Sequence, residues 1–271
     1  MSILPKVLLT CVYIHVRYSK KELIMDVIII IMISEVYSDI AKINRELIGK
    51  YWPDCPYPII YCGDTDYNIY GERYYEFKND VSLPIRIRKI IEIEKPKYAI
   101  CLLGDAFVTD RVNSDKVKLL IDRLQKDDID YCNLLIRKKA NNKEPFYMIK
   151  DEAYPFSFVC YIASQRFIIN NYVDSISDLE LEDKFMQLDD KMSFSFVRLQ
   201  EDIFHIQHGI VKGKWIRKTK RELDKKSINA LNNKRSRLSM LETLHLMIAD
   251  MAIRKLTREQ YVALHKRMKG K

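Results

Sequence analysis

Asp26-Val-Ile-Ile-Ile-Ile-Met-Ile-Ser34 is an unbroken, β-branched run bounded by polar residues, which predicts a strand buried on both faces. Residues 98–107, Tyr-Ala-Ile-Cys-Leu-Leu-Gly-Asp-Ala-Phe, repeat the pattern, and the strand end delivers a carboxylate, Asp105, beside Gly104. Between these runs the apolar period changes. Ile40, Ile43, Leu47 and Ile48 share one helical face, so a helix capped by Ser38 or Asp39 runs to about Tyr51, where Pro53, Pro56 and Pro58 end it. Tyr57 to Cys62 reads as a second strand, completing a βαβ unit of near-minimal length. A further helix runs from Pro84 to Glu94, with Ile85, Ile87, Ile90, Ile91 and Ile93 as its apolar positions and Arg86 and Arg88 on other faces. Ser114 is read as the cap of a helix over Val117 to Gln125, and Ile129 to Ile136 as another strand.

After Arg137 the pattern shortens. Tyr154 to Ala163 predicts a strand, Gln165 to Val173 a short helix, and Phe194 to Val197 with Ile203 to Ile206 two more strands. Ser239-Met-Leu-Glu242 and Thr257-Arg-Glu-Gln260 match the capping box, so the last 35 residues read as two helices. Residues 1–24 fit this scheme poorly. They are either an edge strand over Val7 to Val16 or a stretch upstream of a start at Met25, since Lys21-Glu22 is encodable by a ribosome-binding AAGGAG. The expected organisation is an N-terminal extension over 1–25, an α/β domain over 26–220 and a basic helical segment over 221–271.

Composition narrows the chemistry. With 48% hydrophobic residues the 271-residue chain can bury a sizeable core. Its seven glycines form neither G-x-G-x-x-G nor a P-loop, which argues against Rossmann dehydrogenases and P-loop NTPases. Six scattered cysteines without a C-x-x-C pair suit free thiols in a reducing cytosol rather than a zinc site. The run Val27 to Ile33 is too short to span a bilayer, and Lys6, His15 and Arg17 interrupt the N-terminal apolar stretch, so a cytoplasmic protein is expected. From Lys212 to Lys271 there are 18 Lys and Arg against 5 Asp and Glu, whereas the preceding residues carry 28 against 32. The net charge of +9 is therefore a property of the tail.

Three segments occur in an order that resembles a known family: Tyr51-Trp-Pro-Asp-Cys-Pro-Tyr-Pro-Ile59, Leu102-Leu-Gly-Asp-Ala-Phe107 and His208-Gly-Ile-Val-Lys-Gly-Lys-Trp215. The chain resembles bacterial GT-A-like glycosyltransferases of capsular and surface-polysaccharide biosynthesis over roughly Asp26 to Lys220. The resemblance implies a GT-A-like (Rossmann-like), mainly parallel sheet flanked by helices. It also implies sugar transfer from a nucleoside-diphosphate sugar to an acceptor hydroxyl on a glycan or lipid-linked molecule. Where the family has two adjacent acids this chain has Gly104-Asp105, with Ala106 at an aromatic position, so a Mn²⁺ or Mg²⁺ ion would rest on the single carboxylate Asp105.

Each step of such a transfer needs a group. Positive charge for the leaving diphosphate is expected from Arg86, with Lys212 and Lys214 as alternatives and His208 as a phosphate ligand. Ser34, Asp64 and Asp105 fall at strand ends, where a nucleoside binds. Ser177-Asp-Leu-Glu180 resembles the family's "WDFE"-like segment, implying Glu180 as the carboxylate base and Asp178 as its substitute. Each has a plainer reading: Asp105 as a cap or turn residue, Arg86 and Glu180 as solvated charges, Trp215 as a packing anchor. The tail, 212–271, is expected either to lie on the anionic inner leaflet or to pack on the domain with its charges in water. Two other functions stand beside transfer: a degenerate, non-catalytic sugar-nucleotide binder, and nucleic-acid binding through Lys234-Arg-Ser-Arg237 and the tail. The mildly acidic body and the lack of a nucleic-acid motif disfavour the latter.

Overall fold

The computed structural model describes residues 26–64, 73–78, 80–137, 144–149, 152–173, 177–186, 194–226, 228 and 234–269. Both readings of 1–24 lie outside them. The first half contains β1 (Val27–Met32), α1 (Ser38–Tyr51), β2 (Ile59–Gly63), β3 (Arg73–Glu76), α2 (Leu83–Glu94), β4 (Tyr98–Leu103), β5 (Ala106–Val108) and α3 (Ser114–Lys126). Then come β6 (Tyr131–Asn133), β7 (Phe146–Met148), β8 (Cys160–Ser164), α4 (Gln165–Asn171), α5 (Asp178–Met186) and β9 (Phe196–Leu199). Last are β10 (Ile206–His208), β11 (Ile210–Val211), β12 (Lys214–Trp215), α6 (Arg217–Lys225), α7 (Met240–Lys255) and α8 (Arg258–Lys269).

The fold is α/β, with an eight-stranded, mainly parallel mixed sheet in the order β3-β2-β1-β4-β8-β6-β9-β7. β1 pairs in parallel with β2 and β4, and β2 with β3. β8 runs antiparallel between β4 and β6, β9 is parallel to β6, and β7 closes the edge antiparallel to β9. The carboxyl ends of β3, β2, β1, β4, β6 and β9 therefore share one edge.

Alternation along β1 explains why it is apolar throughout. Val27, Ile29 and Ile31 pack in one layer with α1 and α3, including Ala41, Val117, Leu120 and Leu124. Ile28, Ile30 and Met32 face the other layer, with Ile87 and Ile90 of α2, Phe167 of α4 and Phe185 of α5. The apolar stripe of α1 does not face the sheet as a unit. Ile40, Ile43 and Leu47 pack instead on Phe107, Ile210, Trp215 and Leu223, so α1 is buried from two sides.

Local expectations shift at their ends. Tyr37, not Ser38 or Asp39, occupies the N-cap of α1, because a 3₁₀ turn over Glu35–Tyr37 leads into it. Asn113, not Ser114, caps α3, accepting a hydrogen bond from the Lys116 N–H, while the Ser114 hydroxyl accepts one from Trp52 Nε1 (2.9 Å). Of the strand expected over residues 154–163 only Cys160–Ser164 forms, since the Ser157 and Phe158 N–H groups donate to the Tyr131 hydroxyl and to Glu182 instead of a neighbouring strand. Both tail capping boxes form: Ser239 with Glu242, and Thr257 with Gln260. Cys55, Cys62, Cys101, Cys132 and Cys160 are free thiols.

Candidate functional site

Strand order sets the candidate site. The ends of β2, β1 and β4 lie side by side, about 4.8 Å apart, so Asp64, Ser34 and Asp105 follow three adjacent strand ends. Gly104 N–H donates to the Met32 carbonyl at 2.8 Å, carrying the β1–β4 pairing one step beyond β4. A Cβ at position 104 would stand 3.0 Å from that oxygen. The closeness of the two backbones is a physical reason for glycine at this position.

Asp105 sits in the tight turn between β4 and β5. Its Oδ2 accepts a hydrogen bond from the Ile210 N–H (3.0 Å) and lies 2.9 Å from His208 Nε2. Its carbonyl accepts one from the Gly209 N–H at 2.8 Å. β10 pairs with β5 beside it, His208 opposite Ala106, so residues 208–210 run alongside the turn and hold one carboxylate oxygen. The Asp105 side chain is 12% exposed and that of His208 32%. Asp105 is thus a turn residue, and His208, expected as a phosphate ligand, pairs with it.

Arg86 lies elsewhere in the network. It is buried, donates from Nε to the Val81 carbonyl (2.8 Å) and from Nη2 to the Lys78 carbonyl (3.3 Å), and stands 3.8 Å from Asp64 Oδ2. Arg86 is thus neither on an outer helix face nor solvated. It fastens the loop before α2 to the end of β2. Ser34 is half-buried, and its carbonyl accepts from the Tyr37 N–H as the chain turns into α1.

The closing motif forms a small hairpin. Lys212 and Gly213, with φ of 50° and 76°, make the two-residue turn between β11 and β12, leaving Lys212 exposed. Lys214 is committed to Glu242 of α7 at 2.7 Å. That contact, with the Ser239 N–H, holds the half-buried Glu242 carboxyl down at about 2. Trp215 is buried and stacks on Phe107 with ring centroids 5.7 Å apart, which makes it a packing anchor.

Glu180 is exposed and occupied locally. Its Oε2 accepts hydrogen bonds from the Ser177 N–H and hydroxyl, both at 2.8 Å, which hold its carboxyl below the ordinary range. This is a capping box for α5, so the structure spends Glu180 on its own helix end. Among the described residues the Asp178 side chain, at the start of α5, makes no hydrogen bond or ion pair.

Two polar residues escaped the sequence reading. Glu182 accepts from the Phe158 N–H (2.7 Å) and the Tyr154 hydroxyl, and burial holds its carboxyl above the ordinary range. It anchors the segment leading into β8, whose Val159 carbonyl accepts from the Leu103 N–H. Asn44, buried among the apolar positions of α1, donates to the Ala106 carbonyl at 3.2 Å. The only signal for Asn44 was a polar residue beside Ile43 and Leu47; Glu182 was hidden in an acidic run.

Among the described residues no three His, Cys, Asp or Glu side chains converge as a metal site. Grooves lined by described residues occur away from Asp105, between α1 and β2, between α6 and α7, and beside Arg137 and Glu152.

No family model matches the chain, and no curated protein matches it. Solved structures are similar in part. Residues 1–349 of TarS from S. aureus match at 10% identity and a TM-score of 0.40, covering 65% of this chain and 60% of that one. The same protein in complex with UDP-GlcNAc matches at 11% identity and 0.39, over 84% and 72%. A cytidylyltransferase from Leptospira borgpetersenii serovar Hardjo-bovis matches at 10% identity and 0.37, over 91% and 96%. The chain thus spans 60% of the length of the first of these structures. The sheet order and site geometry described above rest on this chain's own pairings.

Proposed function

We propose that this chain is a nucleotide-sugar-dependent glycosyltransferase that moves a sugar from a nucleoside-diphosphate donor to an acceptor hydroxyl in surface or capsular polysaccharide synthesis. One observation carries the reading: Ser34, Asp64 and Asp105 follow adjacent carboxyl ends of parallel strands, with His208 fixing the Asp105 carboxylate. Ligands of open α/β sheets bind at that edge. Both side-chain contacts of Asp105 fall on Oδ2, so among the described residues Oδ1 is the oxygen left to meet a donor hydroxyl or a cation. Mg²⁺ or Mn²⁺ held by Asp105 would supply neutralisation of the leaving diphosphate.

The protein's own groups divide the remaining work. Ser34 and Asp64 bind the nucleoside portion. Arg86 keeps the Asp64 loop in place, and the exposed Lys212 at the hairpin tip supplies positive charge to the diphosphate. The acceptor oxygen bonds to the sugar's anomeric carbon as the bond from that carbon to the diphosphate oxygen breaks, and the hydroxyl proton passes to a carboxylate. Asp178 takes that role in this reading, because Glu180 is occupied by Ser177. Asp178 also lies one helical turn before Glu182, which grips Phe158 beside the end of β4.

The test is titration calorimetry with UDP, GDP, CDP and their sugars, with and without Mn²⁺. One of these ligands is expected to bind the wild type. Asp105→Asn, which keeps an acceptor oxygen for Ile210, is expected to weaken it about tenfold to a hundredfold. Glu180→Gln is expected to leave donor affinity unchanged, and Asp178→Asn to abolish transfer while donor still binds. Equal donor affinity in the folded Asp105→Asn protein would overturn the reading. Donor binding without transfer to any acceptor would favour the non-catalytic alternative.

A further inference from the structure

The tail helix α7 is held at its two ends and bare between them. At its start Glu242 pairs with Lys214, and the Leu238 N–H donates to the Trp215 carbonyl. At its finish Arg254 donates to the Arg137 carbonyl (3.0 Å), Arg258 of α8 donates to the Met186 carbonyl (3.0 Å), and Thr257 bridges to Glu152. Arg137 follows the carboxyl end of β6, and Lys214 lies in the hairpin that follows His208. The helix therefore spans about 24 Å along the sheet edge that carries Asp105. None of its residues is buried.

One face of the exposed helix is apolar. Met240, Leu241, Leu244, Met247, Ile248 and Met251 are 49–79% exposed, and at helical spacing they fall within an arc of about 120°. A contiguous apolar stripe of this kind marks an interaction surface. Beside it runs a groove of about 520 Å³ between α6 and α7, in which Arg217, Lys218, Arg221 and Arg237 meet the same face of α7 and no carboxylate joins the lining.

We propose that this face binds an anionic bilayer surface, with the α7 stripe seated at the acyl boundary and the α6 cations at the phosphate level. The pairing of an apolar stripe with a cationic flank is what distinguishes the occupant. A second copy of the chain docked face to face would set the four cations against their own duplicates. A nucleic acid would engage the cations and leave six apolar side chains in water. An anionic lipid surface satisfies both halves at once. No helix among the described residues is long and apolar enough to cross a membrane, so α7 lies along the surface. The bilayer would then border the edge that carries Asp105, which deepens the proposed function by placing a lipid-linked acceptor there. Vesicle binding is read without donor or turnover, so the two proposals fail separately.

The test is co-sedimentation of the full chain at low salt with vesicles of equal parts phosphatidylglycerol and phosphatidylcholine, against phosphatidylcholine alone. The wild type is expected to pellet with the mixed vesicles and not with the neutral ones. Lys218→Ala with Arg221→Ala is expected to lower the partition coefficient about thirtyfold. Met247→Glu with Ile248→Glu, on exposed positions that leave the fold intact by circular dichroism, is expected to abolish pelleting. A wild type that stays in the supernatant overturns the proposal, as does unchanged pelleting of the Met247→Glu, Ile248→Glu protein. Concentration-dependent dimers in sedimentation velocity, dispersed by those two substitutions, would assign the face to a second copy. Retention of a nucleic acid probe that the α6 variant loses and the α7 variant keeps would assign it to nucleic acid.

Discussion

Gly209→Ala is expected to lower the thermal midpoint by about 5–10 °C, as overpacking by about 2–3 kcal/mol does in a chain of this size. Gly209 lies between β10 and β11. A Cβ there would stand 2.1 Å from Phe107 Cε2 and 2.8 Å from Cδ2, well inside contact distance. The ring has no room to yield, because it is fully buried, stacks on Trp215 and packs against Ile40, Ile43 and Leu47 of α1. The glycine backbone is pinned as well: its N–H donates to the Asp105 carbonyl and its carbonyl accepts from the Ile216 N–H, both at 2.8 Å. The strain thus falls on the turn that presents Asp105 and His208, and donor affinity should fall with stability. Gly49→Ala is the control. That glycine is exposed within α1 with nothing within 4 Å of its Cβ position, and alanine there should gain about 0.5–1 kcal/mol. A Gly209→Ala melting curve matching the wild type would show that Phe107 does not fill this space.

Arg198→Met is expected to cost about 2–4 kcal/mol, read as a lowered urea midpoint, because it takes the two shortest charged contacts from a mostly buried carboxylate. Arg198, on β9, is fully buried and donates from Nε and Nη2 to Glu152 Oε2 at 3.0 and 2.7 Å. Its Nη1 donates to the Leu135 carbonyl (2.9 Å) and its Nη2 also to the Tyr154 carbonyl (3.2 Å). Arg137 shares Glu152 at 3.4 Å, and burial with the neighbouring Arg198 pulls its pKa below the ordinary arginine range. Methionine fills the volume, yet it removes the donor to the Leu135 carbonyl, leaves the Tyr154 carbonyl to Arg137 (3.2 Å) and leaves Glu152 with the longer Arg137 contact and the Tyr147 hydroxyl. The double variant Arg198→Met, Glu152→Gln should recover part of the loss, since the buried charge goes with its partner. No recovery would place the cost in the Leu135 carbonyl rather than in the carboxylate. The network holds the approach to β8 and, through Thr257, the start of α8, so loosening it should also free the far end of α7.

Much of the framework was legible in the chain. The strand over Val27–Met32, the helix ending before Pro53 and the strand over Tyr98–Leu103 appear where the apolar periods predicted, because both faces of these elements are buried by sequence-adjacent crossovers. Capping boxes in the tail formed for a similar reason: their partners are three residues apart. Longer-range matters were illegible. β3 is short and half-buried, and its pairing with β2 is what makes it a strand. Arg86 reads as a surface charge in a helical wheel, yet the loop before α2 folds over it.

By itself, then, the sequence determined the alternation of strands and helices, the carboxylate after β4 and the segregation of basic charge into the tail. These depend on periodicity, local capping and composition, which act over a few residues. Only the tertiary structure decided that Asp105 meets His208 and Ile210 across more than a hundred positions, that Glu180 turns back on its own helix end, and that α7 stays bare. Such contacts arise from strand order and from which backbones approach closely, as at Gly104 and Gly209. No local pattern carries that information, because it is fixed by packing between segments far apart in the chain.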